Sequence, residues 1–249
     1  EPTWGAQSMD VQGGALWVSS VGAAVIRNTT FTGQVAGPTA KGGGVYSGGD
    51  LEMTECTIVD CEVRARRYQG SNSEGLASGA GVHVVSGNVF VDRCHFERDV
   101  IGIDGDVSNG HGLGAGISVP SGQAEVSGTT IVDCRIEARG VYKAAASGAA
   151  VHAEATRVSE SILSRNHAMA HDADNSEVRG GLVSGNVELE GSLGEHCTSF
   201  ASCLYDGVVH GAVFQSGIIS SSTIKTSGGG GSGHDGSATF FEGDMVITN

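Results

Sequence analysis

The chain has 249 residues, of which 41 are glycine and only 3 are proline, and 39% are hydrophobic. This composition is too apolar for a disordered linker, and no apolar run approaches the roughly 18 residues that a membrane span needs. The formal net charge of −14 opposes binding to phosphate backbones and argues against nucleic acid as a partner.

A glycine-rich strand motif recurs along the chain. Five copies keep their spacing and two are weaker: Gly13–Trp17, Gly42–Tyr46, Gly79–His83, Gly114–Ser118, Gly148–His152, then Gly180–Val183 and Gly211–Phe214. The five begin 29 to 37 residues apart. A repeat of this length is typical of a solenoid, in which each unit buries its apolar face against its neighbours. We therefore expect residues 1–249 to form one elongated domain.

Each glycine-rich strand is followed by a second alternating run, such as Leu51 and Met53, and by a third apolar position at Ile58. This pattern predicts an all-β fold, a right-handed parallel β-helix of seven to eight coils with three short strands each. One inward stack should contain Leu16, Val45, Val82, Ile117, Val151, Leu182 and Val213. Three segments should be loops on one edge: Arg66–Ser78, Gly102–Leu113 and Met169–Glu177.

Charges of alternating sign occupy one position of successive coils: Asp60, Arg98, Asp133, Arg165 and Glu195. Because stacked strands lie about 4.8 Å apart, these side chains could form an ion-pair ladder on the outside of the solenoid. Each exposed pair would contribute only about 0.2–1 kcal/mol. The alternative is that they are separate, solvated charges.

The sequence from Gly42 to Tyr46, followed by Leu51–Cys61, resembles the right-handed β-helix repeats of polymorphic outer-membrane proteins and related bacterial surface proteins. Those repeats combine a Gly-Gly-Ala-Ile-type strand with a Phe-x-x-Asn motif. Phe96-Glu-Arg-Asp99 and Leu163-Ser-Arg-Asn166 come closest to that motif, whereas Phe31-Thr-Gly-Gln34 departs from it. The resemblance implies an extracellular or cell-surface location. The wider pectate-lyase-like superfamily contains both enzymes and non-catalytic adhesins, so the fold alone does not assign an activity.

Six cysteines leave the disulfide state open. Cys56 and Cys94 share a position in adjacent coils, close enough for a disulfide or for a stack of small side chains with Thr29, Thr129 and Ser161. Cys61 and Cys134 are two coils apart, which is too far for a disulfide. Cys197 and Cys203 are another candidate pair.

Aromatic and imidazole side chains recur just after the inward residue of the glycine-rich strands. Trp17, Tyr46, His83 and His152 are candidate ligand-binding residues, because aligned rings offer flat faces to sugar rings. Ser118, Val183 and Phe214 occupy the same position. The alternative is that stacked rings only stabilise neighbouring coils.

Acidic residues cluster in two of the expected loops. Asp104 and Asp106 lie in one, and Asp172 and Asp174 lie in the other. Calcium prefers several oxygen ligands, so these four are candidate Ca²⁺ ligands. The loops lack the glycine and the bidentate glutamate of a complete calcium loop, so solvated turns are the alternative. No other cofactor is expected.

Together, these features favour a non-catalytic extracellular or cell-surface β-helix that acts as a spacer, an adhesin or a glycan-contacting module. Its partner would be a glycan or another surface protein. The alternative is a polysaccharide lyase or epimerase, in which calcium-bound carboxylates acidify a sugar proton and Lys143 or a histidine is the base. No catalytic residue is assigned. An ice-binding solenoid is disfavoured by irregular, charged outward positions.

Neither end of the sequence shows a cap for the terminal coils, so we also expect either that the chain is part of a longer solenoid or that it stacks end to end with copies or partners. The apolar residues expected at this contact are Phe240, Phe241, Met245 and Ile247.

Overall fold

The structure, a computed structural model, describes the backbone of residues 10–19, 23–66, 74–104, 107–171, 175–179, 183–190, 193–195, 213–215 and 246–248. Side chains are described within residues 11–19, 23–66, 74–104, 107–163 and 165–170. In these segments the chain forms parallel strands joined by turns and loops. The same segments contain no helix with the length and apolarity to cross a membrane.

The strands follow one another as short elements. Up to the second glycine-rich motif they are β1 (Asp10–Gln12), β2 (Leu16–Val18), β3 (Ala24–Arg27), β4 (Thr30–Phe31), β5 (Gln34–Gly37) and β6 (Thr39–Lys41). The Gly42 coil contains β7 (Val45–Ser47), β8 (Leu51–Thr54), β9 (Thr57–Val59), β10 (Glu62–Ala65) and β11 (Glu74–Ser78). The Gly79 coil contains β12 (Val82–Val84), β13 (Val89–Asp92), β14 (His95–Glu97), β15 (Val100–Ile103) and β16 (Asn109–Leu113).

Longer strands follow in the next coils. The Gly114 coil contains β17 (Ile117–Ser127), β18 (Thr130–Val132), β19 (Arg135–Arg139) and β20 (Lys143–Ser147). The Gly148 coil contains β21 (Val151–Ser159), β22 (Ile162–Ser164), β23 (His167–His171) and β24 (Asn175–Arg179). The remaining strands are β25 (Val183–Glu190), β26 (Leu193–Glu195), β27 (Val213–Gln215) and β28 (Val246–Thr248).

Four parallel sheets run along the solenoid. Their strand orders are β1-β6-β11-β16-β20-β24, β5-β10-β15-β19-β23, β4-β9-β14-β18-β22-β26, and a larger sheet in which β17, β21 and β25 join the β2-β7-β12 row to the β3-β8-β13 row. From β5 to β23 the chain makes about four full turns. The all-β parallel solenoid is thus confirmed, but the described residues form fewer than the seven to eight coils expected.

The predicted inward stack is confirmed in its first five members. Leu16, Val45, Val82, Ile117 and Val151 are aligned in successive strands. The last four are fully buried, and burying a Val or Ile side chain contributes about 1.5–3 kcal/mol.

The sixth member of that stack was wrong. Val183, not Leu182, pairs with Val151, because Val183 keeps the three-residue offset from Gly180 that Val151 keeps from Gly148. Val213 pairs with Val246 in a separate two-stranded sheet.

The expected number of three strands per coil was too low, because the Gly42 and Gly79 coils each contain five short strands. Parts of the expected loops are strands, namely β11, β16 and β24, and these pair with β6 and β20 in one sheet. The buried residues of β11 and β16 include Gly75, Ala77, Gly110 and Gly112, which are too small to give a strong apolar pattern. A Cβ on Gly112 would lie 2.4 Å from Ile136 Cγ2, so this sheet packs too closely on its neighbour for a larger side chain.

The ion-pair ladder is confirmed as two bidentate pairs. Arg98 Nε and Nη2 donate to Asp60 at 2.7 and 3.1 Å. Arg165 donates to both Asp133 oxygens at 2.7 Å. The backbone register aligns Glu195 with Ser164, one residue before Arg165, and not with Arg165 as the ladder predicted.

Candidate functional site

A tight corner at each glycine-rich motif brings two rows of outward residues together. Gly79 has φ +60°, and a Cβ there would meet the Val82 carbonyl oxygen at 2.2 Å. This left-handed turn returns the chain so sharply that Ser78 and His83 lie side by side. We call the outer surface at these corners the notch. Its first wall is the row Lys41, Ser78, Leu113 and Ser147, and its second is the row Trp17, Tyr46, His83, Ser118 and His152.

The predicted ligand-binding residues all lie in the second wall. The rings of Trp17 and Tyr46 are 6.4 Å apart and nearly parallel, with 4° between their planes. Tyr46 and His83 are 5.6 Å apart at 25°. Ser118 then separates His83 from His152. The row therefore contains one continuous stack of three rings.

Exposure along this stack is uneven. Trp17 is 55% exposed, whereas Tyr46 and His83 are only 7% and 3% exposed, although their side chains leave the outer face of the strand. Ser78 of the opposite wall contacts His83, and the rings of Trp17 and His83 flank Tyr46. A flat ligand can therefore reach the stack at Trp17, whose Nε1 lies 3.4 Å from Gln12 Oε1.

Two serine–histidine pairs cross the notch. Ser78 Oγ is hydrogen-bonded to His83 Nδ1 at 3.0 Å and to Ser118 Oγ at 2.7 Å. Ser147 Oγ and His152 Nδ1 are 3.2 Å apart. Burial lowers the pKa of His83 to about 3, helped by the nearby charge of Lys41 and by His152, and burial lowers that of His152 to about 4. Both imidazoles are neutral at physiological pH. Ser78 and His83 are buried, so their hydrogen bond connects the two walls of the notch. A substrate in solvent cannot reach the Ser78 hydroxyl.

The acidic loop residues are only partly described. Asp104 follows β15 and lies 3.7 Å from Arg66 Nε. Asp106, Asp172 and Asp174 lie outside the described residues, so the calcium site stays a prediction. Among the residues that are described, no group of three or more His, Cys, Asp or Glu side chains is arranged to hold a metal ion. Lys143, the candidate base, begins β20 and aligns with Asn109 and Asn175.

The thiols of Cys56 and Cys94 are free and buried. The Cys56 N–H donates to Cys94 Sγ at 3.3 Å, and the Cys94 N–H donates to Thr129 Oγ1 at 3.1 Å. Burial raises the pKa of Cys94 to about 11. The structure therefore contains the stack of small side chains and not the disulfide. Cys197 and Cys203 lie outside the described residues.

A buried acid was not among the predicted site residues. Asp99 is fully buried, and its Oδ1 accepts the Cys61 N–H at 3.1 Å. Burial raises the pKa of Asp99 well above its usual value. The available signal was the motif Phe96-Glu-Arg-Asp99, in which the acid takes the position of the asparagine in Leu163-Ser-Arg-Asn166.

Comparison with known proteins gives one finding. A family model described as a right-handed beta helix region matches residues 7–186. No curated protein and no solved structure matches the chain.

Proposed function

The chain belongs to the right-handed β-helix family, and we propose that it is a non-catalytic structural module that contacts glycans at the exposed end of its ring stack. The observation that carries this proposal is the contrast within the stack. Trp17 is exposed, while Tyr46 behind it is fixed in a parallel orientation and nearly buried. An exposed ring held by a buried one is pre-organised, so a sugar that stacks on it has little side-chain entropy to remove.

Polar groups at the same end would orient the sugar. Gln12 lies beside the Trp17 indole. Lys41 begins the opposite wall, and no carboxylate of the described residues lies within ion-pair distance of it. Amide and ammonium groups beside an aromatic face supply the few directional hydrogen bonds that a sugar site needs. The remaining notch is filled by its own side chains, which favours a contact surface over a deep catalytic cleft.

Oligosaccharide binding tests this proposal. The probe is a panel of neutral and uronate oligosaccharides measured by isothermal titration calorimetry. Trp17→Ala should weaken binding at least tenfold, which corresponds to about 1.4 kcal/mol. Tyr142→Ala is the matched control, because Tyr142 is 60% exposed but lies away from the stack. If no oligosaccharide binds, or if both variants lose affinity equally, the proposal is wrong.

We also propose that the module works outside the cell or at its surface and stacks end to end with a second copy. Within the described residues, β2, β3, β4 and β5 each pair with one neighbour only, and such an edge is a template for further strand pairing. Ile247 lies in β28, while Phe240, Phe241 and Met245 lie outside the described residues. Light scattering over a concentration series should show mass growth, and a constant monomer mass would contradict the stacking.

A further inference from the structure

One row of buried side chains lies in the turns that follow β9, β14, β18 and β22: Cys61, Asp99, Cys134 and Asn166. We call it the inner corner row. Asn166 shows what this position requires. Its Oδ1 accepts the Cys134 N–H at 2.9 Å, and its Nδ2 donates to the Ile131 carbonyl at 2.9 Å. The amide therefore supplies one acceptor and one donor to the preceding coil.

Asp99 makes the first of these bonds and has no amide for the second. Its Oδ1 accepts the Cys61 N–H. Its Oδ2 is buried and has no hydrogen-bond donor among the described residues. In the strand register, Ile58, Phe96 and Ile131 are aligned. The acceptor that corresponds to the Ile131 carbonyl is therefore the carbonyl of Ile58.

The surroundings of Asp99 disfavour an ionised carboxylate. The thiols of Cys61 and Cys134 are the neighbours of Asp99 in the inner corner row. Burial raises the pKa of Cys61 to about 12 and that of Cys134 well above its usual value. Arg98, the neighbouring cation, is bound to Asp60 at the surface. Asp99 Oδ2 packs against Gly81, since a Cβ on that residue would lie only 2.7 Å from this oxygen.

An ionised carboxylate in this place would also leave an unpaired buried charge, which is among the most costly arrangements in a protein interior. A neutral carboxyl group removes that cost, and its proton supplies the missing donor. It reproduces the two hydrogen bonds of Asn166 with an isosteric side chain.

We propose that Asp99 is held as a neutral carboxylic acid that donates to the Ile58 carbonyl, so that the junction of the Gly42 and Gly79 coils loosens as rising pH removes this proton. The sign follows from linkage. A carboxyl whose pKa is higher in the folded than in the unfolded chain stabilises fully below the unfolded value. Its contribution is lost as the pH rises toward the folded pKa.

Two reciprocal substitutions test the proposal. Asp99→Asn supplies the donor at every pH, so its stability should exceed that of the wild type by a margin that grows with pH. The margin should grow by up to tenfold in the unfolding equilibrium constant per pH unit. Asn166→Asp should acquire the pH dependence that Asp99→Asn has lost. Chemical denaturation from pH 5 to pH 9 measures the stability of the wild type and of both variants. The histidines and the Asp60–Arg98 pair are present in all three proteins, so their contributions to the pH dependence cancel when the stabilities are subtracted.

Infrared spectroscopy gives an independent readout. At neutral pH the wild type should show the carbonyl stretch of a protonated carboxyl group, and Asp99→Asn should lack it. This comparison decides the protonation state even if a variant is too unstable for denaturation. Parallel pH profiles of wild type and Asp99→Asn, or no protonated carboxyl band in the wild type, would overturn the proposal.

Discussion

Replacing Gly79 by alanine should destabilise the solenoid far more than replacing Gly128 by alanine. Both glycines have positive φ, +60° for Gly79 and +53° for Gly128. They differ in what a Cβ would meet. At Gly79 it would lie 2.2 Å from the Val82 carbonyl oxygen and 2.6 Å from the Val82 carbonyl carbon, which are backbone atoms. At Gly128 the nearest atom is Arg93 Cγ at 3.3 Å, which belongs to a flexible side chain.

The magnitudes follow from these contacts. A left-handed conformation costs an alanine about 1–2 kcal/mol at either site. At Gly79 the backbone must also move by 0.8 Å to reach the 3.0 Å below which real Cβ contacts are essentially never seen, and such overpacking costs about 1–3 kcal/mol more. Gly79→Ala should therefore lose about 2–5 kcal/mol, against about 1–2 kcal/mol for Gly128→Ala. The Gly128 position already holds side chains at positive φ in other coils, namely Asn28, Glu55, Arg93 and Glu160.

Urea denaturation followed by circular dichroism measures both losses. Hydrogen exchange adds a local readout, since each coil of a solenoid contacts only its neighbours and can open separately. Exchange should rise in β11 and β12 of Gly79→Ala, because Gly79 joins them. Equal losses of stability in the two variants would refute the argument that backbone contact fixes glycine at this corner.

Three further predictions follow from the described contacts and from the sequence. Because burial lowers the pKa values of His83 and His152 from 6.5 to about 3 and about 4, the part of the stability that depends on these two histidines should be complete above pH 6.5. It should be lost as the pH drops toward 4, as pH-dependent denaturation will measure. A double-mutant cycle of Arg98→Ala and Asp60→Ala should give a small favourable coupling that shrinks with added salt. If the acidic loops bind calcium, a chelator should lower the Tm, and Asp104→Ala should abolish that effect.

Each of these predictions has its own control. His83→Gln should reduce the acid-induced loss, whereas His95→Gln should not, because the His95 side chain is 42% exposed and lies 3.3 Å from Glu97. If the coupling free energy of Arg98 and Asp60 does not change with salt concentration, their contact is not mainly electrostatic. A melting curve that the chelator leaves unchanged would assign the acidic loops to solvated turns.

Much of the fold could be predicted from the sequence because stacking repeats place equivalent residues one above another. The recurrence of Val45, Val82, Ile117 and Val151 indicated the core, and alternating charges indicated the Arg98–Asp60 pair before any contact was known. Strands with small inward residues, such as Lys143–Ser147, were missed because alanine and glycine do not produce a strong apolar pattern. Which residue types fit at the inward positions of these strands depends on how closely two sheets approach each other.

The candidate site shows the same division. The sequence by itself determined which residues share a row, because a fixed repeat sets the register of parallel strands. Only the tertiary structure decided which members of a row are accessible. Trp17 and Tyr46 hold equivalent positions in their strands, yet Trp17 is exposed and Tyr46 is buried. The physical reason is that exposure and protonation depend on the facing wall and on neighbouring coils, which lie tens of residues away along the chain. Asp99 is an acid by sequence, and only its burial in the folded chain raises its pKa well above the usual value.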